Sequence, residues 1–151
     1  MDVHRLVEGR ALIIGGVTIP HETGLAGHSD ADVLLHAIAD ALLGAAALGD
    51  IGSHFPDDDP QWEGADSRDL LAAVVEAVQE AGWTLGNVDA TVALQRPKLR
   101  PHIDTMRRRT ADALDVDPGQ VSIKATTTEE LGFVGDEAGA AAHAVCLIAP
   151  R

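Results

Sequence analysis

Hydrophobic and polar positions change period along this chain, and each change marks an element. Asp2-Val3-His4 reads as extended chain, which puts Asp2 and His4 on one side. Ala11–Ile19 is apolar on both sides of Gly15-Gly16 and predicts strand, turn and strand. Thr23–Gly27 reads as a glycine-punctuated loop. After Ser29, the apolar positions Val33, Leu34, Leu35, Ile38, Leu42 and Leu43 predict a helix capped by Ser29 or Asp30 and running to about Leu48. Gly49–Gly64 is rich in Asp, Pro and Gly and reads as a loop. A second helix, capped by Asp66 or Ser67, carries Leu70, Leu71, Val74, Val75 and Val78 and stops at Gly82. Val88–Leu94 alternates as a strand does, and Pro101 opens a third helix that ends before Asp117-Pro118-Gly119. Val121–Ala125 and Ala140–Ala149 read as further strands. No repeat, linker or boundary interrupts the series, so residues 1–151 form a single domain of α+β or α/β sandwich type.

Composition narrows the chemistry. Hydrophobic residues make up 46% of the chain, but no apolar run reaches the roughly 18 residues of a membrane span. No charged-then-apolar signal segment opens the sequence, so a soluble, cytoplasmic protein is expected. The net charge of −13 repels nucleic acid and anionic membrane, and neither is an expected partner. It would also repel a phosphorylated substrate, unless metal ions, a few placed basic groups or backbone N–H donors neutralise it locally. Only Lys98 and Lys124 among the 11 basic residues are lysines. Cys146 is the only cysteine and sits in an apolar run, as a buried, inert thiol does. With two Phe, two Trp and no Tyr, the protomer core is modest, and oligomerisation would supplement it.

Five polar clusters could carry chemistry. Asp2 and His4 can converge on one ion. Asp32, His36 and Asp40 recur every four residues and form a polar stripe on an apolar helix. Asp2, His4 and His36 fit the count of a catalytic zinc site, three protein ligands and one open position, although solvated side chains explain the same spacing. His28-Ser29-Asp30-Ala31-Asp32 stands at a helix start, where anions bind. Asp50-Ile51-Gly52 and Phe55-Pro56-Asp57-Asp58-Asp59 suit either a solvated turn or contacts to sugar hydroxyls or metal. Lys124-Ala125-Thr126-Thr127-Thr128-Glu129 could hold phosphate beside a hard cation, with oxygen ligands of the kind magnesium prefers. No Walker loop, dinucleotide fingerprint, HExxH or nucleophile elbow is present.

In this order, the motifs resemble the 2-C-methyl-D-erythritol 2,4-cyclodiphosphate synthase family almost end to end. The stretches that carry the resemblance are Asp2-Val3-His4, Ile14-Gly15-Gly16-Val17, His28 to Val33, His36-Ala37, Asp40 to Gly44, Leu48 to Gly52, Phe55-Pro56-Asp57, Gly64 to Ser67, Gly86 to Asp89, Pro97-Lys98, Lys124 to Glu129 and Leu131-Gly132-Phe133. The resemblance implies an α+β fold, a mixed β-sheet with helices packed on one face, in a homotrimer built around the sheets with active sites between subunits. The implied activity is that of a phosphorus–oxygen lyase of non-mevalonate isoprenoid synthesis. It closes 4-diphosphocytidyl-2-C-methyl-D-erythritol 2-phosphate into the cyclic diphosphate and releases CMP.

The resemblance also implies roles for residues. Asp2, His4 and His36 would hold one zinc per subunit, which meets the β-phosphate. Glu129 would be the protein ligand of a magnesium or manganese ion that arrives with the substrate. His28 and Thr127 would stabilise the transition state. Ser29, Phe55 and Asp57 would line the methylerythritol phosphate pocket, Asp50 and Gly52 would meet the ribose, and Asp59 and Phe133 would add substrate contacts. Leu94, Pro97, Lys98, Leu99 and Arg100, with Ala125, Thr126 and Thr127, would form the cytidine pocket.

Three positions depart from the family pattern. Met1 directly precedes Asp2, where relatives carry a short strand, so a first strand is expected to be missing or truncated. Asp136 stands where many relatives place an arginine, and Arg100 where an apolar residue is usual. The rival expectation from another class is a non-catalytic trimeric metal-binding module of the same fold.

Overall fold

The computed structural model describes all of residues 1–151. Strand β1 (Asp2–Glu8) opens the chain, and β2 (Leu12–Ile14) and β3 (Val17–Ile19) form the hairpin predicted around Gly15-Gly16. Both glycines have positive φ (61° and 71°), the left-handed conformation such a turn requires. β4 (Thr23–Leu25) follows, then helix α1 (Val33–Ala45), the short helix α2 (Ile51–His54) and α3 (Ser67–Glu80). Next come β5 (Trp83–Ala93), α4 (Ile103–Leu114), β6 (Val121–Thr126), the short α5 (Gly132–Gly135) and β7 (Gly139–Pro150). The main sheet has the order β4-β1-β7-β5-β6. Only β5–β6 is parallel, so the sheet is mixed, as expected.

Asp2 and His4 are themselves strand residues. They stand opposite Ala142 and Ala140 of β7, and this pairing holds both side chains in place. The α+β reading holds, with corrections at element ends. Thr23–Leu25 is a strand rather than a loop, paired with Leu6–Glu8. Gly24 is needed there because a Cβ would lie 2.3 Å from the carbonyl oxygens of Arg10 and Ala11. The long helix begins at Val33 and is capped by Asp32, not by Ser29 or Asp30, and it ends at Ala45 rather than Leu48. Residues 49–64 contain α2 and a single 3-10 turn at Pro60–Trp62 within the expected loop. The third helix opens as a 3-10 turn, Arg100–His102, before α4.

Helix α1 is the centre of the core. Val33, Leu34, Leu35, Ala37, Ile38, Ala39, Leu42 and Leu43 are all buried, against β7 and β5 on one side and α3 on the other. The small residues Ala140 and Ala142 of β7 are fully buried beneath it, and their short side chains let the helix approach the sheet closely. The other face of the sheet carries apolar side chains that nothing in the chain covers: Val3 is 44%, Val145 63% and Leu147 69% exposed. Cys146 alternates with them and is half-buried, and burial raises its thiol pKa further from neutrality. No helix is long and apolar enough to cross a membrane.

Candidate metal centre and nucleotide pocket

Period two in β1 turns Asp2 and His4 toward the helical face of the sheet, and the first turn of α1 lowers His36 onto them. Asp2 Oδ2 lies 2.7 Å from His4 Nε2 and 3.2 Å from His36 Nδ1, and the two ring nitrogens are 3.2 Å apart. These are the three residues whose donor atoms converge as a metal site requires. A tetrahedral zinc with bonds of about 2.0–2.1 Å holds its ligand atoms roughly 3.4 Å apart. Two of the three separations are within about 0.2 Å of that value and the Asp2–His4 one is about 0.7 Å short of it, and two nitrogens with one carboxylate oxygen are a suitable donor set.

The other nitrogen of each ring is already engaged. His4 Nδ1 lies 2.8 Å from the Ala26 carbonyl, which can only accept, so Nδ1 carries a proton and Nε2 is the nitrogen that faces the cluster, donating to Asp2 when protonated and offering a lone pair to a metal. His36 Nε2 turns outward to Ser67 Oγ at 2.9 Å and Ser29 Oγ at 3.2 Å. Burial by itself would raise the Asp2 pKa. Hydrogen bonds and charge from His36 and His4 outweigh it and hold the carboxyl well below the usual range. Burial disfavours the charged form of His4, but the hydrogen bond and charge of Asp2 prevail and raise its pKa.

The polar stripe on α1 separates into three jobs. Asp32 is fully buried and accepts from the N–H groups of Gly15, Gly16 and Leu35, so it ties the β2–β3 turn to the helix start. His36 joins the metal cluster, and Asp40 accepts from Ile51 N at 2.8 Å and anchors α2.

The remaining expected residues fall in two groups. Beside the metal cluster, Ser29 is buried and accepts from Ala31 N. His28 Nε2 donates to the Asp59 carbonyl at 3.0 Å. The Asp59 carboxylate is used locally, by Gln61. Asp50 caps α2 through Ser53 N, with Gly52 and Asp57 exposed nearby. Phe55 meets Trp62 edge-on at 4.9 Å. Trp62 was not singled out in the sequence, and its indole N–H is buried without a partner.

The second group lines a cavity of about 700 Å³ where β5 and β6 end. Leu94, Pro97, Lys98, Leu99 and Arg100 form one wall, and Ala125, Thr126 and Thr127 the other, as the sequence expectation grouped them. Lys124 reaches this cavity's rim but pairs with Asp89 at 2.7 Å, whereas Lys98 makes no ion pair. Beyond Thr127, Glu129 is exposed on a turn with φ of 52°. Phe133 does not line the cavity; it packs beside Gly139 of β7. Asp136 is exposed, and its neighbour Glu137 is gripped by both ends of the Arg96 guanidinium at 2.8 Å.

The metal cluster and the cavity do not meet within one chain. Asp2 pairs with Ala142, Ala142 with Val92, and Val92 with Ala125, so they lie in one row across the sheet. Three strand spacings make that row roughly 14 Å long. Its middle members, Ala142 and Val92, are fully buried.

Comparison with known proteins matches this arrangement. The YgbB family model covers residues 1–149. The 2-C-methyl-D-erythritol 2,4-cyclodiphosphate synthase of Salinibacter ruber is 68% identical over 97% of this chain and 94% of its own. The bifunctional IspDF of Campylobacter jejuni superposes with a TM-score of 0.95 at 43% identity; 99% of this chain is covered, but only 41% of that longer one. A 2C-methyl-D-erythritol-2,4-cyclodiphosphate synthase solved in a CDP-bound form has a TM-score of 0.89 at 36% identity, over 98% of this chain and 96% of that one. Shared sequence and shared fold over nearly the full length place this chain in the YgbB family, among the 2-C-methyl-D-erythritol 2,4-cyclodiphosphate synthases.

Proposed function

We propose that this protein cyclises 4-diphosphocytidyl-2-C-methyl-D-erythritol 2-phosphate to 2-C-methyl-D-erythritol 2,4-cyclodiphosphate and releases CMP, a phosphorus–oxygen lyase step of non-mevalonate isoprenoid synthesis. The observation that carries this reading is the convergence of Asp2, His4 and His36 on one point, in a chain whose relatives bear that enzyme's name. An oxygen of the 2-phosphate forms a bond to the β-phosphorus. The bond from that phosphorus to the bridging oxygen breaks, and the electron pair leaves on CMP. Anion meets anion, so the protein's work is positioning and charge neutralisation; no covalent intermediate is required. Asp2, His4 and His36 would hold a zinc ion, and Glu129 with the substrate a magnesium or manganese ion, and these would supply positive charge to the diphosphate.

The chain's own groups do the rest. His28 is fixed by its bond to the Asp59 carbonyl, which leaves Nδ1 as the nitrogen that would serve a phosphate oxygen, as a donor in the imidazolium form. Thr127 Oγ1 accepts from Glu129 N at 3.3 Å, so its own proton is free to donate to a phosphate oxygen as charge develops. Ser29, Phe55 and Asp57, with Asp59, border the methylerythritol end. Asp50 and Gly52 meet the ribose, and Phe133 adds a further substrate contact. The cavity between Leu94–Arg100 and Ala125–Thr127 takes the cytosine, with Lys98 and Arg100 as cations free of an ion pair. The CDP-bound relative supports a cytidyl ligand of this size.

The working unit in this reading is a homotrimer with each site shared by two chains. Two features support it: the roughly 14 Å that separates the half-sites within a chain, and the uncovered apolar sheet face of Val3, Val145 and Leu147. Phosphorus NMR of a reaction with the cytidyl substrate tests the activity. A cyclic diphosphate appearing together with CMP is expected. An open-chain phosphate product would make the protein a hydrolase, and no CMP at all would leave only a metal-binding module.

A further inference from the structure

The groups behind His36 form a chain that the reaction scheme does not use. Ser67 is the first residue of α3, and only 1% of it is exposed. Its hydroxyl donates to Asp30 Oδ1 in a short hydrogen bond, and its backbone N–H donates to Asp30 Oδ2 at 3.0 Å. The same hydroxyl oxygen stands 2.9 Å from His36 Nε2. An ionised carboxylate can only accept, and a serine has a single hydroxyl proton. Once Asp30 takes that proton, the Ser67 oxygen can only accept from His36. Nε2 of His36 then carries a proton, and a metal that engages Asp2, which otherwise lies 3.2 Å from Nδ1, finds the Nδ1 lone pair. Ser29 Oγ, at 3.2 Å, adds a second and longer contact to the same nitrogen.

We infer that Asp30 and Ser67 are positioning residues that set the tautomer of His36, and so decide which of its nitrogens is offered to a metal. The inference rests on the proposed metal role of Asp2, His4 and His36. A carboxylate that orders a ligand histidine ordinarily does so through a direct hydrogen bond to the ring. Here a hydroxyl stands between them, and its direction depends on the charge of Asp30. Asp30→Asn can turn an amide N–H toward Ser67. That reverses the chain, makes Ser67 the donor to Nε2, and moves the histidine proton to Nδ1, where it blocks the site.

The test has two parts, on the full-length protein. First, zinc affinity is measured by competition with a chromophoric chelator for the parent protein, Asp30→Asn and Ser67→Ala. Each variant is expected to hold zinc about tenfold to hundredfold more weakly, the usual cost of losing such a support. Weakening in only one of the two, or in neither, overturns the relay, because the two residues act in series. Second, NMR of the ring nitrogens is recorded on the zinc-loaded parent, in which the metal rather than His36 engages Asp2. The His36 proton is expected on Nε2. A proton on Nδ1 overturns the inference whether or not the variants fold. A parent that takes up no zinc would refute the metal reading and the inference with it, whereas zinc uptake with the proton on Nδ1, or with unchanged affinity in the variants, would refute the inference alone.

Discussion

The candidate metal cluster and the cavity at the ends of β5 and β6 are built on different principles. At the cluster, every donor atom is backed by another group: Ala26 behind His4, Ser67 and Ser29 behind His36, and the β1–β7 pairing beneath Asp2 and His4. At the cavity, the walls are two chain segments leaving the ends of parallel strands, and Lys98, Lys124, Ala125, Thr126 and Thr127 along it are exposed. A cation site must fix three atoms to within tenths of an ångström, because coordination tolerates little error. A nucleotide pocket can rely on shape and backbone groups, and a partner surface can complete it.

Five substitutions probe this contrast, from the largest expected effect downward. His36→Ala removes one of three ligands. It is expected to abolish zinc retention in metal analysis and to lower turnover by about a thousandfold or more, given the several kcal/mol of charge stabilisation a catalytic metal provides. Retained zinc would show that the cluster is not the site. Glu129→Gln should leave that zinc in place while raising the magnesium or manganese needed for half-maximal turnover by roughly tenfold to hundredfold, since one carboxylate ligand of a hard cation is lost. An unchanged metal dependence would place the second ion elsewhere.

Asp32→Asn acts on the frame rather than on the site. Asparagine presents one oxygen to three backbone donors, so a stability loss of roughly 1–3 kcal/mol in chemical denaturation is expected. Burial raises the Asp32 pKa from 3.8 to about 6, against the N–H bonds from Gly16, Leu35 and Gly15. The folded state thus favours the neutral carboxyl. Its contribution is fully present below about pH 4 and is lost as pH rises through about 6. The gap between parent and variant should therefore narrow over that window. A gap that widens would mean that the three donors hold the carboxylate ionised. The smallest effect separates the two lysines. Lys98→Ala should raise KM about tenfold through loss of a charge-assisted contact. Lys124→Ala, which removes an exposed pair with Asp89, should change KM less than about twofold.

How much was legible in the sequence follows the same division. Strand period two was enough to pair Asp2 with His4, and helix period placed His36 on a polar stripe. The same spacing could not say that Asp32 would turn inward to a glycine turn, or that Asp40 would hold α2, because each partner is remote in sequence. Ser29, Asp30 and Asp32 are all plausible caps. Asp30 was drawn away to Ser67, 37 residues on, and that left Asp32 as the cap. β4 was read as a loop because its central glycine has poor strand propensity, and only close packing on Ala11 explains it. The resemblance groups residues that line one cavity, but no local pattern reveals that β5 and β6 are neighbours. Trp62 carries no signal of its own, and Ser67 signals only a helix start; both matter through what the fold brings to them.

Complementation between chains tests the shared-site account most directly. His36→Ala disables the metal half, and Thr127→Val disables the cavity half. Each variant alone should be inactive. Co-refolded in equal amounts, random trimers bring an intact metal half against an intact cavity half at about one site in four, since each half is intact on half of the chains in a head-to-tail ring. The account predicts activity near a quarter of the parent's. No recovery, with subunit exchange verified by mass spectrometry of differently tagged chains, would contradict it, as would full activity in a parent protein that sediments as a monomer.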